Sequence, residues 1–428
     1  MGDDTDEPLL WGWQSAPDQR GTIDILWSCL ATTFLCSWSC GCLNLPPPDS
    51  TATDGLMQRI RWQLFTIFFP EVTVSLAAEQ WESANQGVKR FRDLGYDDTI
   101  FNHKHAFFVD MGGILLQSPD FPAFPIDSQQ LAYLVENEYL PMPNIADDDI
   151  ADKSKADSFA RALAAVQILW FTLQCVGRWA QGLGLCTLEL STIAFILCSL
   201  NMQFFWYRKP YDVRSPIILH TQHTIGFILV KAGEAARRPY KRTPLDFIKP
   251  PPDDKSLIAP FWFGVDSVLH RPEDGGRRPI RCFGNNKTMP PAGISNNERV
   301  YGVFLELLYF GLHFLGVLCP FPSQTEHWLW IAANATLTTL LMVYMFAIYV
   351  GHKVQARFGL WMFQKETRSI LELIEIMPGW LKFVVHAPFI GLYVAARAYT
   401  LFESFYGLRA LPPRLYVCVE WSNFLPHL

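Results

Sequence analysis

The chain has 428 residues, half of them hydrophobic, 14% aromatic and only 18% charged, with a formal net charge of −6. Globular domains carry about 25% charged residues, so a single soluble domain is excluded, and the acidic balance lacks the basic face that nucleic acid requires. The mean hydropathy of +0.11 averages over strong segregation: Trp328–Gly351 holds no charge, and Trp179–Tyr207 holds only Glu189.

Residues 1–24 form an acidic tail with Asp3, Asp4, Asp6, Glu7 and Asp18, unlike the basic start of a signal peptide, so no cleavage is expected. The first transmembrane region, 25–81, opens with Ile25–Leu45, long enough for a bilayer core and stopped by Pro46-Pro47-Pro48. Gln63–Ala78 is weaker because Pro70-Glu71 interrupts it; it can be a seventh span, or a re-entrant or interfacial helix. A polar extramembrane segment at 82–158 predicts short helices. The hairpin at 159–207 carries spans Phe159–Gly177 and Thr187–Tyr207, turned at Gly182 and Gly184. A basic loop covers 208–299, punctuated by Pro250-Pro251-Pro252 and Gly275-Gly276. The region 300–402 carries Val300–Leu318, Trp328–Val350 and about Trp380–Thr400, and 403–428 is a C-terminal tail. The expected fold is all-α, a polytopic transmembrane bundle of six to seven spans with two polar extramembrane segments.

Charge asymmetry orients it. The 208–299 loop holds 16 Lys and Arg, including Arg208, Lys209, Arg214 and Arg299 beside the spans, and 352–379 holds Lys353, Arg357, Lys365 and Arg368, whereas 319–327 holds none. The positive-inside rule places the first two in the cytosol and the third in the lumen. The tail then lies on the lumenal side, and the side of the N-terminus depends on whether Gln63–Ala78 crosses. No internal repeat is visible, which removes support for an inverted-repeat transporter. The 10 cysteines lie mostly inside apolar runs, as Cys29, Cys36, Cys175 and Cys198 do, and read as small fillers of helix interfaces rather than disulfides.

Several strings are specific. Arg20-Gly21-Thr22-Ile23-Asp24 opens the first span, followed by Phe69-Pro70-Glu71 and His105-Ala106-Phe107-Phe108. Gln167, Trp170-Phe171 and Arg178 precede Leu188-Glu189-Leu190 and Trp206-Tyr207-Arg208-Lys209-Pro210. His313, Phe321-Pro322-Ser323, Leu411-Pro412-Pro413 and Trp421-Ser422-Asn423 complete the set. Over nearly its whole length the chain resembles a large family of fungal multi-spanning proteins. It also resembles the membrane-bound terpene cyclases of fungal meroterpenoid clusters, of the macrophorin and ascofuranone type. That resemblance implies a cyclase (an isomerase or lyase) of secondary metabolism in the endoplasmic reticulum membrane. The implied partner is a lipophilic prenylated small molecule in the lipid bilayer, and no cofactor is implied.

Ionisable residues at bilayer depth are costly and therefore candidates for function. Glu189 is foremost, being alone in its span and matching the acidic position of the family motif. In an apolar site its acid form would be favoured and could protonate an epoxide or alkene; the alternative is an interhelical hydrogen bond. Glu71 follows Pro70, where it can complement a helix dipole or act as an acid facing a cavity. Glu306 and His313 are seven residues apart on one helical face and could form a proton relay, or each could satisfy a different helix. Aromatic faces stabilise cations, which nominates Phe171, Phe205, Trp206, Phe310 and Phe314 as lining for a carbocation; membrane proteins are also rich in lipid-facing rings.

Metal signals are weak. Asp148-Asp149-Ile150-Ala151-Asp152 has the spacing of a magnesium-diphosphate motif but no partner motif, and helix-start acids explain it. His103 with His105, and His220 with His223, lack a third ligand, and no metal is expected. Asn286-Lys287-Thr288 is a sequon that a cytosolic loop would leave silent. A transporter or channel, or a non-catalytic membrane scaffold, stands as the alternative function.

Overall fold

The computed structural model describes residues 10–16, 19–152, 157–237, 239–248, 259–269, 277–285, 296–367 and 370–421. Asp3, Asp4, Asp6, Glu7, Asp18, the punctuation at 250–252 and 275–276, the sequon, Arg368, the side chains of Asp152 and Arg299, and the motif from Ser422 lie outside them.

The chain starts its helices with side-chain caps that the sequence supplies locally. In α1 (Thr22–Cys40) the Gly21 N–H donates to Asp24 Oδ2 at 2.8 Å. In α2 (Ala52–Phe68), Thr51 and Asp54 cap reciprocally at 3.0 and 3.2 Å. Phe69, outside the helical region at φ −136° and ψ 58°, separates α2 from α3 (Pro70–Asp93). Proline has no N–H to continue the ladder of α2, but it suits the first position of a new helix. Residues 63–78 are therefore two helices meeting at a break, and α3 runs straight through the boundary expected at 81/82.

Past α3 come α4 (His103–Phe108), β1 (Ile114–Gln117), β2 (Phe124–Pro125), α5 (Ser128–Glu136) and α6 (Asp147–Asp152). The helical hairpin α7 (Asp157–Ala180) and α8 (Thr187–Phe205) follows, then β3 (Ile217–His220), α9 (Ile225–Ala232) and α10 (Ala259–Leu269). The last helices are α11 (Asn296–Phe314), α12 (Gln324–Phe363), α13 (Ile370–Ile376) and α14 (Gly379–Tyr406). Six of these, α1, α7, α8, α11 with its 3₁₀ extension to Leu318, α12 and α14, are long and apolar enough to cross a membrane, at the six expected places. The 40 residues of α12 exceed the expected Trp328–Val350. At 1.5 Å per residue it is about 60 Å long, roughly twice a hydrocarbon core, and its overhang carries Lys353 and Arg357.

The structure is mostly helical rather than all-α. The two polar segments do not fold apart; they share a three-stranded sheet of order β2-β1-β3, with β1 antiparallel to β2 and parallel to β3 (Leu116 opposite Leu219). Ile114-Leu115-Leu116 and Ile217-Ile218-Leu219 are too short for buried helices, and each follows a breaker, Gly112-Gly113 or Pro216. The sheet and α4, α5 and α9 form one layer over a core that includes Phe91, Phe107, Phe108, Phe124 and Leu131, each exposed by 2% or less.

This layer caps one end of the bundle. The Leu45 N–H donates to the Met111 carbonyl at 2.9 Å. Buried Lys209, just past α8, donates to Asn44 Oδ1 (3.0 Å) and Gln80 Oε1 (2.8 Å). Removal from water brings the Lys209 amine down to about 8. At the opposite end both termini meet: Trp11 pairs with Leu411, and the Arg20 N–H donates to the Tyr416 carbonyl at 2.9 Å.

Candidate functional site

The α2–α3 break is driven into the middle of the bundle. There the Phe68 carbonyl, left open by the break, accepts from Arg397 Nε at 2.9 Å. Arg397, on α14, is 3% exposed and faces three further groups. Its Nη2 donates to the Tyr309 hydroxyl and lies 3.8 Å from Glu71 Oε2. Its Nη1 is 3.5 Å from His313 Nε2. His313 Nδ1 sits 3.1 Å from the Tyr309 carbonyl, which can only accept, so Nδ1 carries the hydrogen and Nε2 is the acceptor facing Arg397. Glu71 Oε1 accepts from the Tyr393 hydroxyl. Four helices thus meet at one guanidinium: α3, α11, α14 and the end of α2.

Three cavities share walls at this cluster. Two are small, about 30 and 80 Å³, and both are lined by Glu71, Ser75 and Glu306. Ser75 donates to Glu306 Oε1 at 3.0 Å, whereas Glu306 Oε2 is shut away from the surface with no hydrogen-bond partner among the described residues. No cation stands within ion-pair distance of Glu306 among those residues, in contrast to Glu71. Phe205 lines the smaller of the two, and Phe310 the other together with Phe261, Tyr344 and Phe389. The third cavity, about 600 Å³, lies between α1, α8, α11 and α14 and ends at Tyr309, His313 and Arg397. Tyr309 lines both this cavity and the smallest one. Pockets of about 300–1,000 Å³ suit small-molecule ligands, so only the third is large enough for one as it stands. Glu306 and His313, read either as a relay or as serving different helices, line different cavities with Tyr309 between them.

Glu189, read from the sequence either as an acid in an apolar site or as a partner in an interhelical hydrogen bond, stands among cations. Its Oε1 is 2.5 Å from Arg20 Nη2 and 4.0 Å from Arg178 Nε, and its Oε2 accepts from the Cys186 N–H at 3.0 Å. It caps its own helix and anchors two cations. Arg178, 1% exposed, donates in turn to the carbonyls of Gly184 (3.2 Å), Val417 (2.8 Å) and Leu415 (3.0 Å). Phe171 is buried in the apolar cluster beside this anchor, and Phe314 faces outward at 43% exposed. Trp206 donates to Gln80 Oε1 at 3.0 Å and lies under Lys209. None of the three rings lines a cavity described above.

The metal signals resolve into local structure. Asp148 and Asp149 are exposed at the start of α6, where Asp149 accepts from the Ala146 N–H at 3.3 Å. His103 contacts Asn85 Oδ1 at 2.7 Å and His105 the Ile145 carbonyl at 2.9 Å, while His223 stacks on Phe227. Among the described residues no group of three or more His, Cys, Asp or Glu side chains is placed to hold a metal ion.

Sequence reasoning missed Arg397, Tyr309 and Tyr393. Arg397 carried a signal, a cation inside a run expected to span; the two tyrosines carried none beyond the four-residue spacing of Tyr309 from His313. No curated protein and no solved structure matches the chain. The family described as a family of unknown function, DUF8562, matches residues 3–232 and 301–428, and the chain belongs to it.

Proposed function

We propose that the protein is an integral-membrane, multi-pass terpene cyclase of the endoplasmic reticulum that starts the cyclisation of an epoxidised prenylated substrate by protonation. The observation that supports this reading best is a shared wall: Tyr309 lines both the large apolar cavity, beside Arg397 and His313, and a small one carrying the carboxyls Glu71 and Glu306. The Tyr309 oxygen accepts from Arg397, and its hydrogen has no acceptor among the described residues. A cation donating to a phenol oxygen supports the negative charge left there when the proton departs.

In this mechanism the Tyr309 proton passes to the epoxide oxygen while one carbon–oxygen bond breaks, its electron pair staying on that oxygen as a hydroxyl. A neighbouring alkene supplies the electron pair for the new carbon–carbon bond. The final carbocation loses a proton to the Tyr309 oxygen, so the product is an isomer of the substrate. Glu306, unpaired and lining a cavity that Tyr309 also lines, reprotonates the phenolate after the first transfer and regains its proton through the same oxygen when the carbocation sheds one; Glu71 balances the charge of Arg397. The apolar walls take the hydrocarbon and keep water from the cation.

The test is to incubate microsomes bearing the protein with an epoxidised prenyl phenol and search for a cyclic isomer of unchanged mass. Tyr309→Phe keeps the ring and removes the proton; loss of general acid catalysis should cost about 10²–10⁴-fold in turnover. No isomer from the unaltered protein, or undiminished turnover in Tyr309→Phe, would overturn the reading.

A further inference from the structure

The large cavity ends at Arg397 on the inside, and its other end opens sideways. Its mouth is formed by Trp27, Leu30 and Phe34 of α1 and Phe405 of α14, all exposed on the outer face of the bundle. The packing explains the opening. α1 lies against α7 and α8, and α14 against α12, α10 and α8, so the two helices flank a cleft over α8 rather than closing on each other.

The hydrogen-bonding groups along the cavity say what can lie in it. Thr192 donates to the Leu188 carbonyl at 2.8 Å, Ser404 to the Thr400 carbonyl at 2.8 Å, and Ser191 to Ser404 Oγ at 3.0 Å. With these three hydroxyl hydrogens engaged, and Thr33 beside Phe34 on the mouth side, an oxygen lying deeper than the mouth but short of the inner end would be buried without a donor, at a cost of about 1–3 kcal/mol. The inner end is the reverse. A guanidinium has five N–H groups; three of those of Arg397 donate to Phe68, His313 and Tyr309, the second on Nη2 is in ion-pair range of Glu71 Oε2 at 3.8 Å, and one on Nη1 is left without an acceptor among the described residues. The Tyr309 O–H is in the same position. Two donors therefore face the end of an apolar tunnel, and Glu71 already balances the charge there.

We propose that this cavity is a lateral-entry binding site for a neutral, isoprenoid-length hydrocarbon that carries one oxygen acceptor at its leading end. The chain enters from the hydrocarbon of the bilayer through the α1–α14 cleft, oxygen first, and the oxygen comes to rest on Arg397 Nη1 and the Tyr309 hydroxyl. The proposal names the entry route and the oxygen subsite of the cyclase, and it rests on that reading for the ligand's being a substrate. Its test reads occupancy instead of turnover.

The full chain is placed in phosphatidylcholine vesicles with one of two diazirine probes, a farnesyl chain ending in an alcohol or the same chain ending in a methyl group. On illumination the alcohol probe should label peptides containing residues 27–35 and 397–405. A hydrogen bond to a charged donor should favour it over the hydrocarbon by roughly tenfold. Ala31→Trp, which fills the cleft without touching Arg397, should abolish labelling while thermal stability is kept; Tyr309→Phe should reduce the preference severalfold. Equal labelling by both probes, labelling that survives Ala31→Trp, or displacement by added phospholipid would overturn the proposal, the last assigning the cleft to a membrane lipid. Labelling as expected without any isomer from epoxidised substrate would leave the site standing and remove the cyclase reading alone.

Discussion

At the scale of single residues, two buried glutamates have opposite surroundings, and their variants should fail in opposite ways. Glu189 stands between Arg20 and Arg178. Removing one partner of a buried ion pair costs about 3–5 kcal/mol, because the other charge is left uncompensated. Glu189→Gln should therefore lower the amount of folded protein and its thermal midpoint, while turnover per folded molecule stays near that of the unaltered chain. Glu306 has no such partner, and its free oxygen lies in an apolar cavity. Glu306→Gln should fold normally and lose about 10²–10⁴-fold in turnover, the range of general acid–base catalysis. Isomer formation normalised to monodisperse protein separates the two, and the reverse pattern would return the acid to Glu189. A carboxyl alone in an apolar run looks the same in sequence whether the fold brings a cation to it or not. Arg20 is 169 residues from Glu189, and nothing local announces the pairing.

At the scale of elements, the broken helix and the capping layer carry the consequences. Pro70 made the α2–α3 break legible in the sequence; that the break would meet Arg397 was not, because the contact joins segments 329 residues apart. The sheet was missed for a related reason: four-residue apolar runs carry no helix or strand period of their own, and pairing β1 with β3 requires the α7–α8 hairpin to return the chain to the same end. The layer also has a pH response. Asp110 accepts from the Ser128 N–H at 2.8 Å and from Ser83 at 2.9 Å, and removal from water, with the charge of Asp127 nearby, pushes it up to about 7. The folded state thus holds this proton more tightly than the unfolded chain, whose aspartate titrates near 3.9. The resulting stability is complete below pH 4 and is lost as pH rises through 7. The protection of the β1 and α5 amides, taken relative to the intrinsic exchange rate at each pH, should accordingly fall between pH 5 and pH 8, and Asp110→Asn should flatten that dependence. An unchanged slope in the variant would place the response elsewhere.

At the scale of the whole molecule, the six expected spans correspond to six long apolar helices, because span length and hydropathy are set by contiguous residues. The α2–α3 pair enters and leaves the bundle from the layer end. On the proposed membrane reading this gives an even number of crossings and puts both termini opposite the 208–299 loop, which positive charge assigns to the cytosol. In sealed microsomes, protease should cut 208–299 from outside. Cys418, exposed in the tail, should react with an impermeant maleimide only after permeabilisation. Labelling of Cys418 in intact vesicles would reverse the arrangement.

The clasp between the two ends of the chain imposes an order on biosynthesis. Arg178 emerges from the ribosome long before Leu415 and Val417, whose carbonyls it needs. A nascent chain halted near residue 410 would already contain all six long helices, yet it would hold Arg20 and Arg178 against a single glutamate. Every such intermediate exposes an unsatisfied guanidinium inside an apolar bundle, a mark by which quality control could tell an unfinished chain from a finished one. Arrival of residues 414–417, rather than insertion of the last helix, then becomes the step that commits the protein to its fold.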